Sequence, residues 1–233
     1  MKKVLILVLS ANFPPYYKMR RTSERTWNSI KVEDVETVFY FGNPLPLPQE
    51  EGCLYLNIDE GYNNLGKKTL MAFEWALKNK EFDYIARVNS STYVDKKELL
   101  NYVQGLPEDK VFAGLKVIAT PPWMWGPAFI ISKDKVRNLV GLKNHLDASL
   151  MEDMGISFLM NSLNCPYIQG KLVSIDKLST GWQAICYGGG ESFNFTDWED
   201  IKKTKGQFFF RVKCDADRNI DEFVMNQLFK HLK

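Results

Sequence analysis

The sequence is poor in the side chains that most often carry metal or nucleophilic chemistry. It has two histidines and four cysteines among its 233 residues. The cysteines lie far apart, at Cys53, Cys165, Cys186 and Cys214. Because no two of them form a Cys-x-x-Cys pair, the common zinc-binding spacings and a disulfide framework are excluded, and a reducing, cytoplasmic compartment is expected. With only two histidines, the chain offers few residues for a Ser-His-Asp or Cys-His catalytic arrangement.

Long apolar runs and an excess of one charge are missing as well. The apolar run Val4–Leu9 is too short for the h-region of a signal peptide and is typical of a buried parallel strand. No stretch approaches the roughly 20 apolar residues of a membrane span, so no integral membrane segment is predicted. The 30 basic and 28 acidic residues are spread along the chain, so nucleic acid is not expected as a partner.

A glycine-rich phosphate loop is also absent. Ser10-Ala11-Asn12 follows the first predicted strand, where a dinucleotide-binding protein would carry Gly-x-Gly-x-x-Gly. An unrelated nucleotide-binding α/β protein is therefore the weakest of the interpretations that the sequence allows.

Predicted strands alternate with predicted helices over the first two thirds of the chain. The alternation predicts a single α/β domain over residues 1–233, with a mostly parallel central sheet and helices on both faces. Residues 44–49, with three prolines, are a predicted loop. Asn64 is a predicted helix N-cap, and Phe223 is expected to face the core from the last helix. Strands are predicted at residues 4–9, 35–41, 54–58, 82–88, 111–115, 126–132, 172–175 and 207–212, and helices at residues 18–30, 64–79, 95–103, 133–142, 148–163 and 221–232.

A run of small polar side chains follows the central predicted strand. The strand at residues 82–88 leads directly into Asn89, Ser90 and Ser91. Because α/β sheets bind their ligands at the carboxyl ends of their strands, these residues are predicted to form the floor of a ligand site.

Several blocks of the sequence, in the same order, resemble the β-1,3-galactosyltransferase and Fringe-like family of glycosyltransferases. One block resembles the family's Asp-x-Tyr-x-Asn-Leu-Thr-x-Lys-Thr segment, and another its Glu-Asp-Val segment. The match is collinear over about residues 4–163 and weaker beyond them. The blocks are residues 21–27, 38–42, 59–69, 121–132 and 151–154.

The resemblance implies a GT-A type fold and an inverting transfer of a hexose from a nucleotide-diphosphate sugar. UDP is the expected nucleotide, and a hydroxyl of a glycan or glycoconjugate is the expected acceptor. Residues 1–115 would then form the nucleotide-sugar-binding half and residues 116–233 the acceptor-binding half. The resemblance gives no oligomeric state.

The implied chemistry assigns roles to individual residues. Inversion needs a carboxylate that takes the proton of the acceptor hydroxyl, and the Glu-Asp-Val block makes Asp153 the predicted general base, with Glu152 as a second catalytic candidate. Cations are needed where negative charge develops on the departing diphosphate. The donor-binding candidates are Ser10, Arg21, Arg25, Lys68, Arg87, Asn89, Ser90, Ser91, Arg211 and Lys213. The acceptor-binding candidates are Trp123, Trp125 and Gly126, with both tryptophans predicted on an exposed loop.

Without the resemblance, plainer explanations hold. Two acids in the first turn of a helix are then better explained by the helix dipole. Two tryptophans near a predicted strand are explained equally well as core aromatics.

One segment departs from the family pattern. Where the family's strand ends in Asp-Asp-Asp or Asp-x-Asp, this chain has Asn89-Ser90-Ser91 in the same register. Neutral amides and hydroxyls hold Mn²⁺ or Mg²⁺ poorly, so no metal ligand is predicted. Either cations and helix amides meet the diphosphate charge in a metal-independent enzyme, or the protein is an inactive nucleotide- or carbohydrate-binding module. The retained Glu152-Asp153 pair favours the enzyme.

Overall fold

The computed structural model describes residues 1–43, 50–213 and 218–233, so the loop predicted at residues 44–49 and Cys214 lie outside the described residues. The strands are β1 (Val4–Leu9), β2 (Val35–Gly42), β3 (Cys53–Leu56), β4 (Tyr84–Asn89), β5 (Thr92–Val94), β6 (Phe112–Val117), β7 (Trp123–Ser132), β8 (Tyr167–Gln169), β9 (Leu172–Leu178), β10 (Gly181–Tyr187), β11 (Phe193–Phe195) and β12 (Phe209–Arg211). The helices are α1 (Tyr16–Arg25), α2 (Leu65–Asn79), α3 (Lys96–Gln104), α4 (Lys133–Gly141), α5 (Glu152–Ser162) and α6 (Arg218–Leu232).

A seven-stranded sheet with the order β3-β2-β1-β4-β7-β6-β8 forms the centre of the fold. β7 runs antiparallel to both of its neighbours, and the other pairings of this sheet are parallel. Along β1, Ile6 and Val8 contact one core while Leu5 and Leu7 contact the other, because successive side chains of a strand point to opposite faces. The predicted α/β fold with a mostly parallel sheet is confirmed.

Helices cover both faces of this sheet, as predicted. The core on one face takes its helical residues from α2, α4 and α5, including Phe73, Leu139 and Ile156. The core on the other face takes them from α1, α3 and α6, including Met19 and Leu99. Among the described residues, no helix combines the length and the apolar character needed to cross a bilayer.

A second sheet, with the order β11-β10-β9-β12-β5, shares the core of α1, α3 and α6. The sequence-based prediction missed its strands β5, β10 and β11, as well as β8 of the central sheet. Within the second sheet, β12 pairs with β5, which places Arg211 opposite Thr92. The basic C-terminal strand therefore lies beside the segment that follows β4.

Two predicted helix boundaries are wrong by four residues or more. α1 ends at Arg25 instead of continuing to Ile30, because Thr26 adopts a non-helical conformation (φ −106°, ψ −113°). A short 3-10 turn, Trp27–Ser29, follows it. α5 begins at Glu152, four residues later than predicted.

Two side-chain predictions are also wrong. Asn64 precedes α2, but its side chain makes no capping hydrogen bond and donates instead to the Asp59 carbonyl (3.0 Å). Phe223 is 45% exposed and stacks on Trp182, with ring centroids 6.0 Å apart, so it does not enter the core.

Candidate functional site

A cavity of about 570 Å³ opens at the carboxyl ends of β1 and β4. It collects six of the predicted donor-binding residues: Ser10, Lys68, Asn89, Ser90, Ser91 and Lys213. The remaining described lining residues are Leu9, Ala11, Phe13, Pro15, Tyr16, Glu60, Gly61, Tyr62, Leu65 and Arg218. The cavity thus combines residues from both predicted halves of the chain.

The floor of the cavity is fixed by backbone hydrogen bonds. The Ser90 amide donates to the Leu9 carbonyl (3.1 Å), and the Ser91 carbonyl accepts from the Val212 amide (2.9 Å). The buried Ser10 hydroxyl has no hydrogen-bond partner among the described residues. A buried polar group without a partner is costly, so the Ser10 hydroxyl is suited to bind a polar ligand.

Lys68 supports the floor from within the protein. Its side chain is 1% exposed and donates to the Ser10 carbonyl (2.9 Å) and to the Glu60 carboxylate (2.6 Å). The other Glu60 oxygen accepts from the Gly42 amide (2.7 Å). Burial lowers the pKa of Lys68, and the Glu60 carboxylate acts against this shift. Lys68 therefore orders the strand end, with Glu60 beside it at the cavity.

A second buried ion pair joins Arg87 to Glu152. Arg87 also donates to the Gly126 carbonyl (2.5 Å), and Glu152 accepts from the Thr69 hydroxyl (2.7 Å), which contacts the Tyr40 hydroxyl (2.8 Å). Burial raises the pKa of Glu152, while Arg87 and Thr69 oppose that shift. Both Glu152 oxygens are bound inside the protein, so the structure places this carboxylate in a buried network away from the cavity lining, and its predicted catalytic role stays a prediction.

Asp153, the next residue, is half-buried in the first turn of α5. One oxygen accepts from the Met154 amide (3.0 Å), and the carboxylate lies against Gly126 of β7. A Cβ atom at Gly126 would be 2.6 Å from Asp153 Oδ2 and 3.2 Å from Asp153 Cβ. The β4–β7 pairing sets Val88 opposite Ala128, so Gly126 is near the level of the polar segment after β4. Glycine at this position leaves the space that the Asp153 carboxylate occupies.

The tryptophans predicted on an exposed loop instead belong to β7, where both are half-buried. The Arg211 guanidinium lies 4.9 Å from the Trp125 ring centroid, and the Tyr187 ring packs edge-on against Trp125 at 6.0 Å. Trp123 is the first residue of the strand and is opposite Val117. The loop prediction failed because pairing with β6 extends β7 back over both tryptophans.

Several predicted donor-binding cations lie away from the cavity lining. Arg21 and Arg25 are exposed on α1, where Arg25 donates to the Arg21 carbonyl and to the Thr22 hydroxyl (3.3 Å each). Arg87 is buried with Glu152, as described above. Lys68 and Lys213 are the predicted cations among the described residues of the lining.

Arg218 lines the cavity and was not predicted. It is the first residue of α6, which the sequence pattern started at Asp221, and it forms an ion pair with Asp221 (2.9 Å). Its second terminal nitrogen contacts the Met19 sulfur (3.3 Å). The sequence around it shows no basic pattern, because Asp215 and Asp217 precede Arg218 and Asp221 follows it.

The described part of the chain contains no group of three or more His, Cys, Asp or Glu residues that could hold a metal ion. Asp95, the first acid after Asn89, uses one oxygen to cap α3, accepting from the Lys97 and Glu98 amides (3.1 Å each). At the end of β4 the described residues therefore offer amide and hydroxyl groups.

Sequence comparisons connect the chain to sugar transferases. A model of the Galactosyltransferase family matches residues 50–122, which include α2, β4 and the Asn89–Ser91 segment. The chain is 24% identical over 198 residues to UDP-GalNAc:beta-1,3-N-acetylgalactosaminyltransferase 1 of Rattus norvegicus. It is 22% identical over 200 residues to the Homo sapiens protein of the same name. Both matches cover 68% of this chain and 60% of the relative, so the chain spans about 60% of the length of these relatives.

A solved structure provides an independent comparison. A glycosyltransferase involved in the glycosylation of the major capsid of PBCV-1 superimposes with a TM-score of 0.52 at 15% sequence identity. The superposition covers 95% of this chain and 98% of that one. The likeness confirms the GT-A type fold, and the sequence matches confirm the family resemblance.

Proposed function

We propose that this chain, a relative of the galactosyltransferase family, is a glycosyltransferase that moves a hexose from a nucleotide-diphosphate sugar to a hydroxyl of a glycan or glycoconjugate. The observation that carries the proposal is the position of Asp153 beside Gly126, two residues along β7 from Ala128, which pairs with Val88 near the end of β4 where the cavity opens. The relatives named for UDP-GalNAc support a UDP-linked donor.

In the proposed reaction, Asp153 takes the proton of the acceptor hydroxyl as its oxygen attacks the anomeric carbon. The bond from that carbon to the diphosphate breaks on the opposite face, which inverts the configuration. Arg87 and Glu152 hold the start of α5 and the Gly126 carbonyl, so they position Asp153 without touching the substrate. Trp125, braced by Arg211, is the proposed acceptor platform.

The test is release of UDP from a panel of UDP-sugars in the presence of glycan acceptors. We expect Asp153→Asn to lower kcat by about 10²- to 10⁴-fold, the usual contribution of a general base, with UDP affinity within about twofold of the wild type because Asp153 is outside the cavity lining. Asp109→Asn, which changes an exposed acid before β6, is the matched control. Unchanged turnover in Asp153→Asn would refute the role of Asp153.

The second candidate function is an inactive nucleotide- or carbohydrate-binding module, favoured by the Asn89-Ser90-Ser91 substitution. It predicts saturable UDP binding by calorimetry with no UDP release from any donor. A cytoplasmic location stays a prediction, which fractionation of cells that express the tagged chain would test.

A further inference from the structure

We infer that the donor diphosphate is held by the side-chain cations Lys213 and Arg218 together with the Asn89–Ser91 segment, without a divalent metal ion. The inference rests on the proposed function, and it concerns how the same cavity meets the charge of its ligand. It departs from the pattern of the family that the chain resembles, in which carboxylates stand at the end of this strand.

The carboxylates near the cavity are already engaged. Glu60 is the one acid among the described lining residues, and its two oxygens accept from Lys68 (2.6 Å) and the Gly42 amide (2.7 Å). Asp95 caps α3. Mn²⁺ and Mg²⁺ need anionic oxygen ligands, and the described residues at the end of β4 do not supply them.

The cavity instead presents positive charge. Lys213 is exposed on its lining, and the Arg218 guanidinium, which also pairs with the buried Asp221 (2.9 Å), can donate its remaining N–H groups to phosphate oxygens. α1 and α2 also begin at the lining, with Tyr16 and Leu65, and neither has an acidic residue in its first turn. Their positive helix ends therefore add to the attraction for an anion.

The polar floor supplies matching hydrogen-bonding groups. Ser10 has a buried hydroxyl without a partner among the described residues, and it lines the cavity with Asn89 and Ser91. The Val212 amide donates to the Ser91 carbonyl (2.9 Å), which holds Lys213 next to this floor. Amides and hydroxyls hydrogen-bond phosphate oxygens while the cations neutralise them, so the floor and the C-terminal strand have complementary roles.

The experiment is calorimetry with UDP and with uridine, each in EDTA and in excess Mn²⁺. We expect UDP affinity in EDTA and in Mn²⁺ to agree within about threefold, and Lys213→Gln to weaken UDP binding by about tenfold or more because a charge-assisted contact is lost. Uridine, which lacks phosphate, should bind Lys213→Gln and the wild type alike. Lys67→Gln, an exposed lysine of α2 outside the lining, is the matched control and should bind UDP normally.

Arg218 needs a gentler change because it also pairs with the buried Asp221. Arg218→Lys keeps the charge and loses the planar guanidinium, so UDP affinity should fall by less than in Lys213→Gln. UDP binding that requires Mn²⁺, or equal losses for UDP and uridine in Lys213→Gln, would overturn the inference and leave the proposed function standing. No UDP binding with or without Mn²⁺ would overturn the proposed UDP-sugar transfer itself.

Discussion

Two buried ion pairs support the two parts of the site, and they differ in how completely the protein encloses them. Lys68 and Thr69 are consecutive residues of α2. Lys68 donates to the Ser10 carbonyl of the floor and to Glu60, whereas Thr69 donates to Glu152, the partner of Arg87. The Glu152 side chain is 6% exposed and the Glu60 side chain 18%. One pair is closed inside the protein, and the other borders the space where a ligand enters.

This difference indicates different roles. A fully buried ion pair adds little net stability compared with a well-packed apolar pair, but removing one partner leaves an uncompensated charge. The closed Arg87–Glu152 pair therefore fits the proposed role of positioning Asp153, since Arg87 also binds the Gly126 carbonyl. The open Lys68–Glu60 pair contributes its charges to the cavity lining, where they act on the affinity for a charged ligand.

We expect the largest effect, a loss of stability, when one partner of the closed Arg87–Glu152 pair is removed. Arg87→Met should lower the free energy of unfolding by about 3–5 kcal/mol, because Glu152 would remain buried without its partner. Urea denaturation measures this change. Arg137→Met, at an exposed position of α4, is the control and should change the unfolding free energy by no more than about 0.5 kcal/mol.

A second substitution makes the Arg87 prediction sharper. Glu152→Gln in the Arg87→Met background removes the unpaired charge, so it should recover part of the lost stability. Wild-type stability in Arg87→Met alone would show that removing Arg87 leaves no costly unpaired charge at Glu152.

The contact of Asp153 with Gly126 predicts the next largest effect. Gly126→Ala places a Cβ atom 2.6 Å from Asp153 Oδ2, so the carboxylate must move. We expect kcat to fall by about 10- to 100-fold, since a displacement near 1 Å at a reacting group has that cost. UDP affinity should stay unchanged, because neither residue lines the cavity.

Gly141→Ala is the matched control for this change, since no atom lies within 4 Å of the Cβ it would add. If Gly126→Ala and Gly141→Ala lost the same fraction of kcat, the contact of Asp153 with Gly126 would have no role in turnover.

The sequence predicted the central sheet better than the second sheet for a physical reason. β1 and β4 are buried on both faces, so each appears as a continuous apolar run with a polar segment after it. β10 and β11 are only partly buried and mix polar with aromatic residues, and β5 has three residues, so none gave a clear period. Partial burial erased the pattern on which the prediction depended.

The candidate site was predictable to the extent that its residues are close in sequence. Asn89, Ser90 and Ser91 follow one strand, so their common location came directly from the pattern. The sequence pattern did not predict that Glu152 is buried in an ion pair while Asp153 is half-buried, because the partner of Glu152 is Arg87 on a distant strand. Arg218 was missed for a related reason, since tertiary packing, and not local spacing, brings α6 to the cavity.

We expect the smallest effect, an increase in UDP affinity, when the open Lys68–Glu60 pair loses its carboxylate. Glu60→Gln removes a negative charge from the cavity and leaves more of the Lys68 charge uncompensated, so UDP affinity should rise by about two- to tenfold. Glu74→Gln is the control, because Glu74 also pairs with lysines, Lys78 (2.9 Å) and Lys143 (2.7 Å), but outside the cavity lining. Calorimetry in EDTA measures both variants. Weaker UDP binding in Glu60→Gln would mean that Glu60 acts mainly by holding Lys68 in place, and the two ion pairs would then share one structural role.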